Sequence, residues 1–284
     1  MERKKVTPQD LQAKKQQGKK ITRVICYDYP MALLADRAEV DMILVGDSVG
    51  MVTLGLKDTL PVTMEEMLHH CKAVTRAVKY AMVIGDLPFL SYQTSTRDAI
   101  YNAGLLMKEG GVDAVKLEGG KEFADTVRAI VKAGIPVAGH IGLTPQTIAK
   151  LGGYKVQGAD ISSARKVIED AKALEAAGVF IISSLECVPD RVAQIITKEL
   201  SIPVVSIGSG PYTDGQALNL YDILGIFERF TPKFVKKYAT LSETILQALK
   251  EFKREVEEGA FPGPEHSYHI KDEVLDEILG KKGQ

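Results

Sequence analysis

From Ile21 onward, short apolar runs alternate with longer segments whose apolar residues recur at helical spacing, the pattern of βα units around a parallel sheet. The runs that read as strands are 21–28 (ITRVICYD), 40–47 (VDMILVGD), 81–88 (AMVIGDLP), 112–119 (VDAVKLEG), 135–142 (IPVAGHIG), 179–186 (VFIISSLE), 202–209 (IPVVSIGS) and 233–239 (KFVKKYA). Helical spacing marks 29–38, 64–79, 95–110, 121–133, 161–177 and 189–199, and Ala-Gly steps before β-branched residues close several of them. Eight such units predict an α/β fold in the form of a single closed (β/α)8 TIM barrel. Segment 241–258 carries an apolar stripe and ends at Gly259, which predicts the eighth helix packed outside the barrel. Residues 7–18 predict an extra helix capping the barrel bottom. The expected organisation is therefore an N-terminal helical extension (1–20), a catalytic barrel (21–266) and a polar C-terminal appendage (267–284).

Composition narrows the class of partner. The 284 residues suit one barrel with terminal additions, and a balance of 36 basic against 37 acidic residues leaves no electrostatic footprint for nucleic acid. Small molecules are the expected partners. Cys26, Cys71 and Cys187 are odd in number and lack a CxxC spacing, so neither a disulfide framework nor a zinc site is expected and a reducing cytoplasm fits. The first 20 residues hold no apolar leader, and no run of 18 apolar residues occurs, which predicts no membrane anchor. Neither GxGxxG after the first strand nor GxxxxGK[ST] is present, so no nucleotide site is expected.

In such a barrel catalytic groups gather at the C-terminal ends of the strands, and here those ends are ionisable: Asp28, Asp47, Asp86, Lys116 with Glu118, His140 and Glu186. All but Asp28 are weighed against a plain structural alternative. Asp47 and Asp86 could cap the following helix or turn, Lys116 and Glu118 could be an internal ion pair, His140 could be a core hydrogen-bonding residue, and Glu186 could cap the helix near Pro189. Taken together, Asp47, Asp86 and Glu118 lie on adjacent strand tops and offer only oxygen donors, which suits a hard cation such as Mg²⁺. Lys116 and Glu118 are two apart and share a face, so an inward lysine needs an anionic partner, either these acids or a bound substrate. Glu186, across the barrel mouth, is the candidate general base, and His140 takes a supporting role.

Between about Ile21 and His266 the strings YDYPMA, LVGDSVGM, TLPVTMEEM, GDLPF, VKLEGG, GHIGLTPQ, GGYKVQG, ALEAAG, LECVP, DGQ, PKFVKKY and PGPEHSY occur in order. This series resembles the ketopantoate hydroxymethyltransferase family. The resemblance implies a TIM-barrel enzyme of pantothenate biosynthesis that converts 3-methyl-2-oxobutanoate to 2-dehydropantoate, with 5,10-methylenetetrahydrofolate as one-carbon donor. It further implies Asp47 and Asp86 as metal ligands and substrate contacts, Ser48 and Lys116 as substrate contacts, Glu118 as a metal ligand, Glu186 as proton acceptor, and a homo-oligomer, a decamer in the family. Mg²⁺ would stabilise the enolate formed when C3 of the 2-oxo acid loses its proton. Departures from the family pattern are Ser183 and Ser184 before LECVP, the loop IGSGPYTDGQ, and Cys26 before YDYP. None falls on a proposed ligand, but the two serines can reshape the surroundings of Glu186. Two rival readings are a Mg²⁺-dependent enolate lyase or mutase of the phosphoenolpyruvate/isocitrate lyase type, separated by folate dependence, and a noncatalytic barrel that binds a metal and an oxo acid.

Overall fold

The computed structural model describes residues 3–280, so the outermost residues of the expected extension (1–2) and appendage (281–284) lie outside the described residues. The chain divides into two compact units, Met1–Tyr238 and Ala239–Gln284.

The first unit is a closed parallel barrel of β1 (Ile21–Ile25), β2 (Met42–Val45), β3 (Met82–Asp86), β4 (Ala114–Glu118), β5 (Val137–Gly142), β6 (Ile181–Glu186), β7 (Val204–Ile207) and β8 (Gly215–Asn219) in sequence order. Strands buried on both faces read as continuous apolar runs, and every residue of β2, β3, β4 and β7 is buried. The outer helices start where side chains satisfy their first free N–H groups. Asp28 accepts from Met31 N–H to open helix Tyr29–Arg37, Thr63 and Glu66 form a capping box before Met64–Ala77, and Ser95 and Asp160 cap Thr96–Lys108 and Ile161–Ala177. Asp28 is thus a helix cap.

The eighth strand differs from the expectation. Residues 233–239 form no strand, and the barrel is closed instead by the sequence GQALN, directly after the helix-free connection 208–214. Two features build that closure. Asp214 turns the chain by accepting from Val204 N–H at 2.8 Å, and Gly215 lets β8 approach β1, since a Cβ there would stand 2.3 Å from the carbonyl oxygen of Ile21. The helix Pro8–Gln16 lies at the N-terminal ends of the strands. Its Leu11 is fully buried, Lys14 pairs with Asp41, Lys15 pairs with Asp214 at 2.9 Å, and Gln12 donates to the carbonyl of Ser201.

The second unit contains the helix Leu241–Glu258, closed by the left-handed Gly259, and the short helix Asp272–Ile278. The expected eighth helix therefore forms, but as part of this unit, with Ile245, Leu246, Leu249, Phe252 and Val256 of its stripe exposed. Among the described residues no helix is long and apolar enough to cross a membrane. Because the β1–β8 seam depends on the missing side chain of Gly215, Gly215→Ala should cost about 1–3 kcal/mol of stability. Urea unfolding checks this, and an unchanged midpoint would contradict the seam as described.

Candidate active site

The period of two along each strand carries the polar ends of the apolar runs into one place. Asp47, Ser48, Asp86, Lys116, Glu118, His140 and Glu186 all line a single cavity of about 980 Å³ at the C-terminal mouth of the barrel. Of the ionisable strand ends, all but the helix cap Asp28 are thus brought together.

Lys116 is the hub. Its ammonium is 2.9 Å from Asp86 Oδ1, 3.8 Å from Glu118 Oε1 and 3.1 Å from His140 Nδ1, and the side chains of Lys116, Asp86 and Glu118 are almost wholly buried. Burial works against the ammonium, but Asp86, Glu118 and Asp47 outweigh it and raise its pKa. Burial, joined by repulsion from Asp86 and Glu118, lifts the Asp47 carboxyl well above the ordinary range. Asp86 is raised by burial against the opposing pull of Lys116. For Glu118 burial is overcome by His140 and Lys116, and its pKa is lowered. Asp47 and Asp86 are therefore the carboxyls whose charge is least compensated, since Lys116 and His140 together favour the Glu118 carboxylate.

His140 extends the network toward the candidate base. Its Nε2 is 2.9 Å from the Leu143 carbonyl and 3.2 Å from Glu186 Oε2, two acceptors that require a hydrogen on that nitrogen. Burial and Lys116 press the imidazolium down, yet Glu118 and Glu186 prevail and its pKa rises to about 9. Glu186 is partly exposed to the cavity, on the far side of His140 from Lys116.

The donor set suits a hard cation only in part. The Asp47 N–H donates to Asp86 Oδ2 at 3.2 Å, which sets the two aspartates side by side. Glu118 is otherwise engaged: Oε2 accepts from Gln146 N–H at 2.9 Å and Oε1 faces His140 at 3.4 Å. Among the described residues, no three acidic, histidine or cysteine side chains form a ready-made metal cage. Asp47 and Asp86 also hold partners, Gln146 for the first and Lys116 with the Asp47 N–H for the second, so a cation bound by these acids would share or displace contacts at all three.

Several site residues escaped sequence reasoning. Gln146 is buried, with Nε2 donating to Asp47 Oδ2 and to the Leu87 carbonyl, both at 2.9 Å, and Oε1 2.8 Å from the Tyr92 hydroxyl. Tyr27 and Asn219 orient Ser48, through contacts of 2.8 Å from Tyr27 to Ser48 Oγ and 2.6 Å from Asn219 Nδ2 to the Tyr27 hydroxyl. Gln146 and Tyr27 lay inside quoted motifs, but neutral polar residues carry no periodic signal. Of the two unexpected serines, Ser184 lines the cavity and accepts from Arg23 Nη1 at 3.0 Å, while the hydroxyl of Ser183 is 3.4 Å from the Gly139 carbonyl.

A closed parallel barrel whose C-terminal mouth gathers paired acids, a buried lysine and a separate carboxylate is the architecture of a β/α-barrel enzyme. Comparison with known proteins makes the assignment specific. The sequence model of ketopantoate hydroxymethyltransferase matches residues 5–264, and the chain belongs to that family. It is 58% identical to the 3-methyl-2-oxobutanoate hydroxymethyltransferase of Moorella thermoacetica, over 94% of this chain and 99% of the relative. Identity to the enzyme of the same name from Syntrophomonas wolfei is 54%, over 96% and 99%. The protein is accordingly an enzyme of the transferase class. Among solved structures, phosphonopyruvate hydrolase aligns with a TM-score of 0.58 at 14% identity, over 97% of this chain and 95% of that one. For 2,3-dimethylmalate lyase, of the PEP mutase/isocitrate lyase superfamily, the TM-score is 0.55 at 14% identity, over 96% and 93%. At that identity the likeness speaks for the barrel alone.

Because the side-chain amide of Gln146 ties Asp47 to the Leu87 carbonyl and the Tyr92 hydroxyl, Gln146→Ala should lower kcat/KM by about tenfold or more, through lost positioning of buried groups. Steady-state kinetics at wild-type levels would remove Gln146 from the site.

Proposed function

We propose that this protein transfers a hydroxymethyl group from 5,10-methylenetetrahydrofolate to 3-methyl-2-oxobutanoate, giving 2-dehydropantoate, in pantothenate biosynthesis. The observation that carries the reading is the match to curated relatives of that name at 53–58% identity along almost their whole length. The geometry supports it by setting one carboxylate, Glu186, apart from the Asp47 and Asp86 pair within one cavity.

In this reading Lys116 and Ser48 hold the oxo-acid carboxylate and present C3 to Glu186, which removes the proton. His140 orients Glu186 through Nε2. A carbon–carbon bond then forms from C3 to the methylene carbon of the folate, both carbon–nitrogen bonds of that carbon break as water adds its oxygen there, and tetrahydrofolate departs with the C3 proton and one water proton on its two nitrogens. Asp47 and Asp86 would hold Mg²⁺, with Glu118 joining if it frees an oxygen, and the ion would draw electron density from the 2-oxo acid and so lower the cost of the enolate.

The cavity lies at the upper end of the ordinary size range for small-molecule sites, with more room than a five-carbon acid fills. Its remaining wall includes Tyr154, Phe227 and Phe230, suited to stacking on a pterin, and Arg229 and Lys233, suited to glutamate carboxylates. The resemblance also brings the expectation of a homodecamer, and the cysteine pattern that of a reducing cytoplasm.

Mass spectrometry of a reaction containing the oxo acid, the folate and Mg²⁺ tests the proposal, which predicts 2-dehydropantoate only when all three are present. Its absence under those conditions overturns the reading. Glu186→Gln should keep oxo-acid binding and lose at least about a hundredfold in turnover, the scale of a general base; near-normal turnover would move the base elsewhere. Asp47→Asn should weaken Mg²⁺ binding measured by calorimetry, and unchanged affinity would remove Asp47 as a ligand.

A further inference from the structure

Beneath the cavity the barrel holds a second buried cation that the mechanism above does not use. Arg23 lies on β1 two residues before Ile25, so both side chains point to the same face, and Ile25 lines the cavity. Arg23 therefore occupies the interior layer just below, 2% exposed, in register with Met42 on β2 and Ala217 on β8. Its Nη1 donates to Ser184 Oγ at 3.0 Å, while Nε and Nη2 have no hydrogen-bond partner among the described residues. Ser184 is part of the cavity lining and precedes Glu186 by two residues on β6, so the guanidinium is anchored directly under the candidate base.

Layers inside such barrels are ordinarily filled by branched apolar side chains, and a buried guanidinium with two unpaired donors is a poor filler. Its charge, however, answers a need of the site. Asp47, Asp86, Glu118 and Glu186 all line the cavity, and an anionic oxo acid entering there meets four carboxylates beside the buried ammonium of Lys116. Burial pushes the guanidinium down to about 10, while Glu186 and then Asp86 hold it up, so the cation and these two acids lie within one another's fields. At that value it keeps its charge at neutral pH.

We propose that Arg23 is a positioning residue acting through its charge: held by Ser184 beneath the cavity floor, it offsets Glu186 and Asp86 so that an anionic 2-oxo acid is accepted, at the expense of cation affinity. The proposal rests on the reading that this cavity takes such an acid together with a divalent cation.

The test is calorimetry on Arg23→Met and wild-type protein, titrated with Mg²⁺ alone and then, at saturating Mg²⁺, with 3-methyl-2-oxobutanoate. Arg23→Met should bind the oxo acid about tenfold more weakly and Mg²⁺ about a hundredfold more tightly, the size of effect of a unit charge about 10 Å from a singly and a doubly charged ligand at an effective dielectric of about 20. Arg23→Lys, which keeps the charge, should hold both affinities within about threefold of wild type. A packing role would lower both affinities together or leave both alone, and either result overturns the proposal. If thermal unfolding shows Arg23→Met to be unfolded, Arg23→Gln, able to keep a hydrogen bond to Ser184 without the charge, must give the same opposed shifts; without them the proposal is wrong. Wild-type protein that binds neither ligand overturns the reading of the cavity and the proposal with it, whereas wild-type binding with unshifted variants sinks the proposal alone.

Discussion

The ammonium of Lys116, sealed among Asp86, Glu118 and His140, is the constraint on which the site depends. A charge taken out of water into a protein interior needs close, well-directed partners, and breaking one partnership leaves another charge exposed to the full penalty. Here every neighbour of Lys116 is also tied elsewhere. Asp86 receives the Asp47 backbone, Glu118 receives Gln146, and His140 reaches Glu186. The strand ends of half the barrel are thereby locked into one electrostatic unit, in which moving any side chain disturbs the rest.

That unit is unevenly charged, and the unevenness is what makes it a site. Asp47 and Asp86 are the carboxyls whose charge is least compensated, both raised by burial and by repulsion from neighbouring acids, and this is the place where a divalent cation would be stabilised. Positive charge sits at Lys116 and, one layer lower, at Arg23, which favours an anionic group in the cavity between them. Glu186 stands at the far end of the histidine bridge, able to face a substrate held by the other groups. The proposed reaction needs what this charge pattern offers: room for an acidic oxo compound beside a cation, with a separate carboxylate to take its proton.

Much of this was legible in the sequence because the physics is local. Parallel strands buried on both faces must be apolar until they end, so a charge closing an apolar run marks a strand top, and Asp47, Asp86, Glu118 and Glu186 could be read in that way. The same logic failed at β8, where GQALN carries no β-branched residue and follows β7 without a helix, while the β-like string KFVKKYA has no strand to pair with. Asp28 ended an apolar run too, yet serves as a helix cap, a role that only backbone geometry reveals. Gln146, Tyr27, Tyr92 and Asn219 act by hydrogen bonds that join segments distant in the chain, and such pairings leave no periodic trace. Arg23 was illegible for a related reason: a lone basic residue in a strand reads as a solvent-facing position until the closed barrel turns it inward.

The central claim is that this constellation removes the C3 proton of a branched 2-oxo acid and passes the resulting carbon nucleophile to a folate-borne carbon. Proton NMR of 3-methyl-2-oxobutanoate in D₂O, with Mg²⁺ and the purified protein, tests it most directly when run with and without 5,10-methylenetetrahydrofolate. The account predicts that the C3 proton signal is lost through exchange and that a hydroxymethyl signal grows only when folate is added. A C3 signal that persists unchanged under both conditions would contradict it.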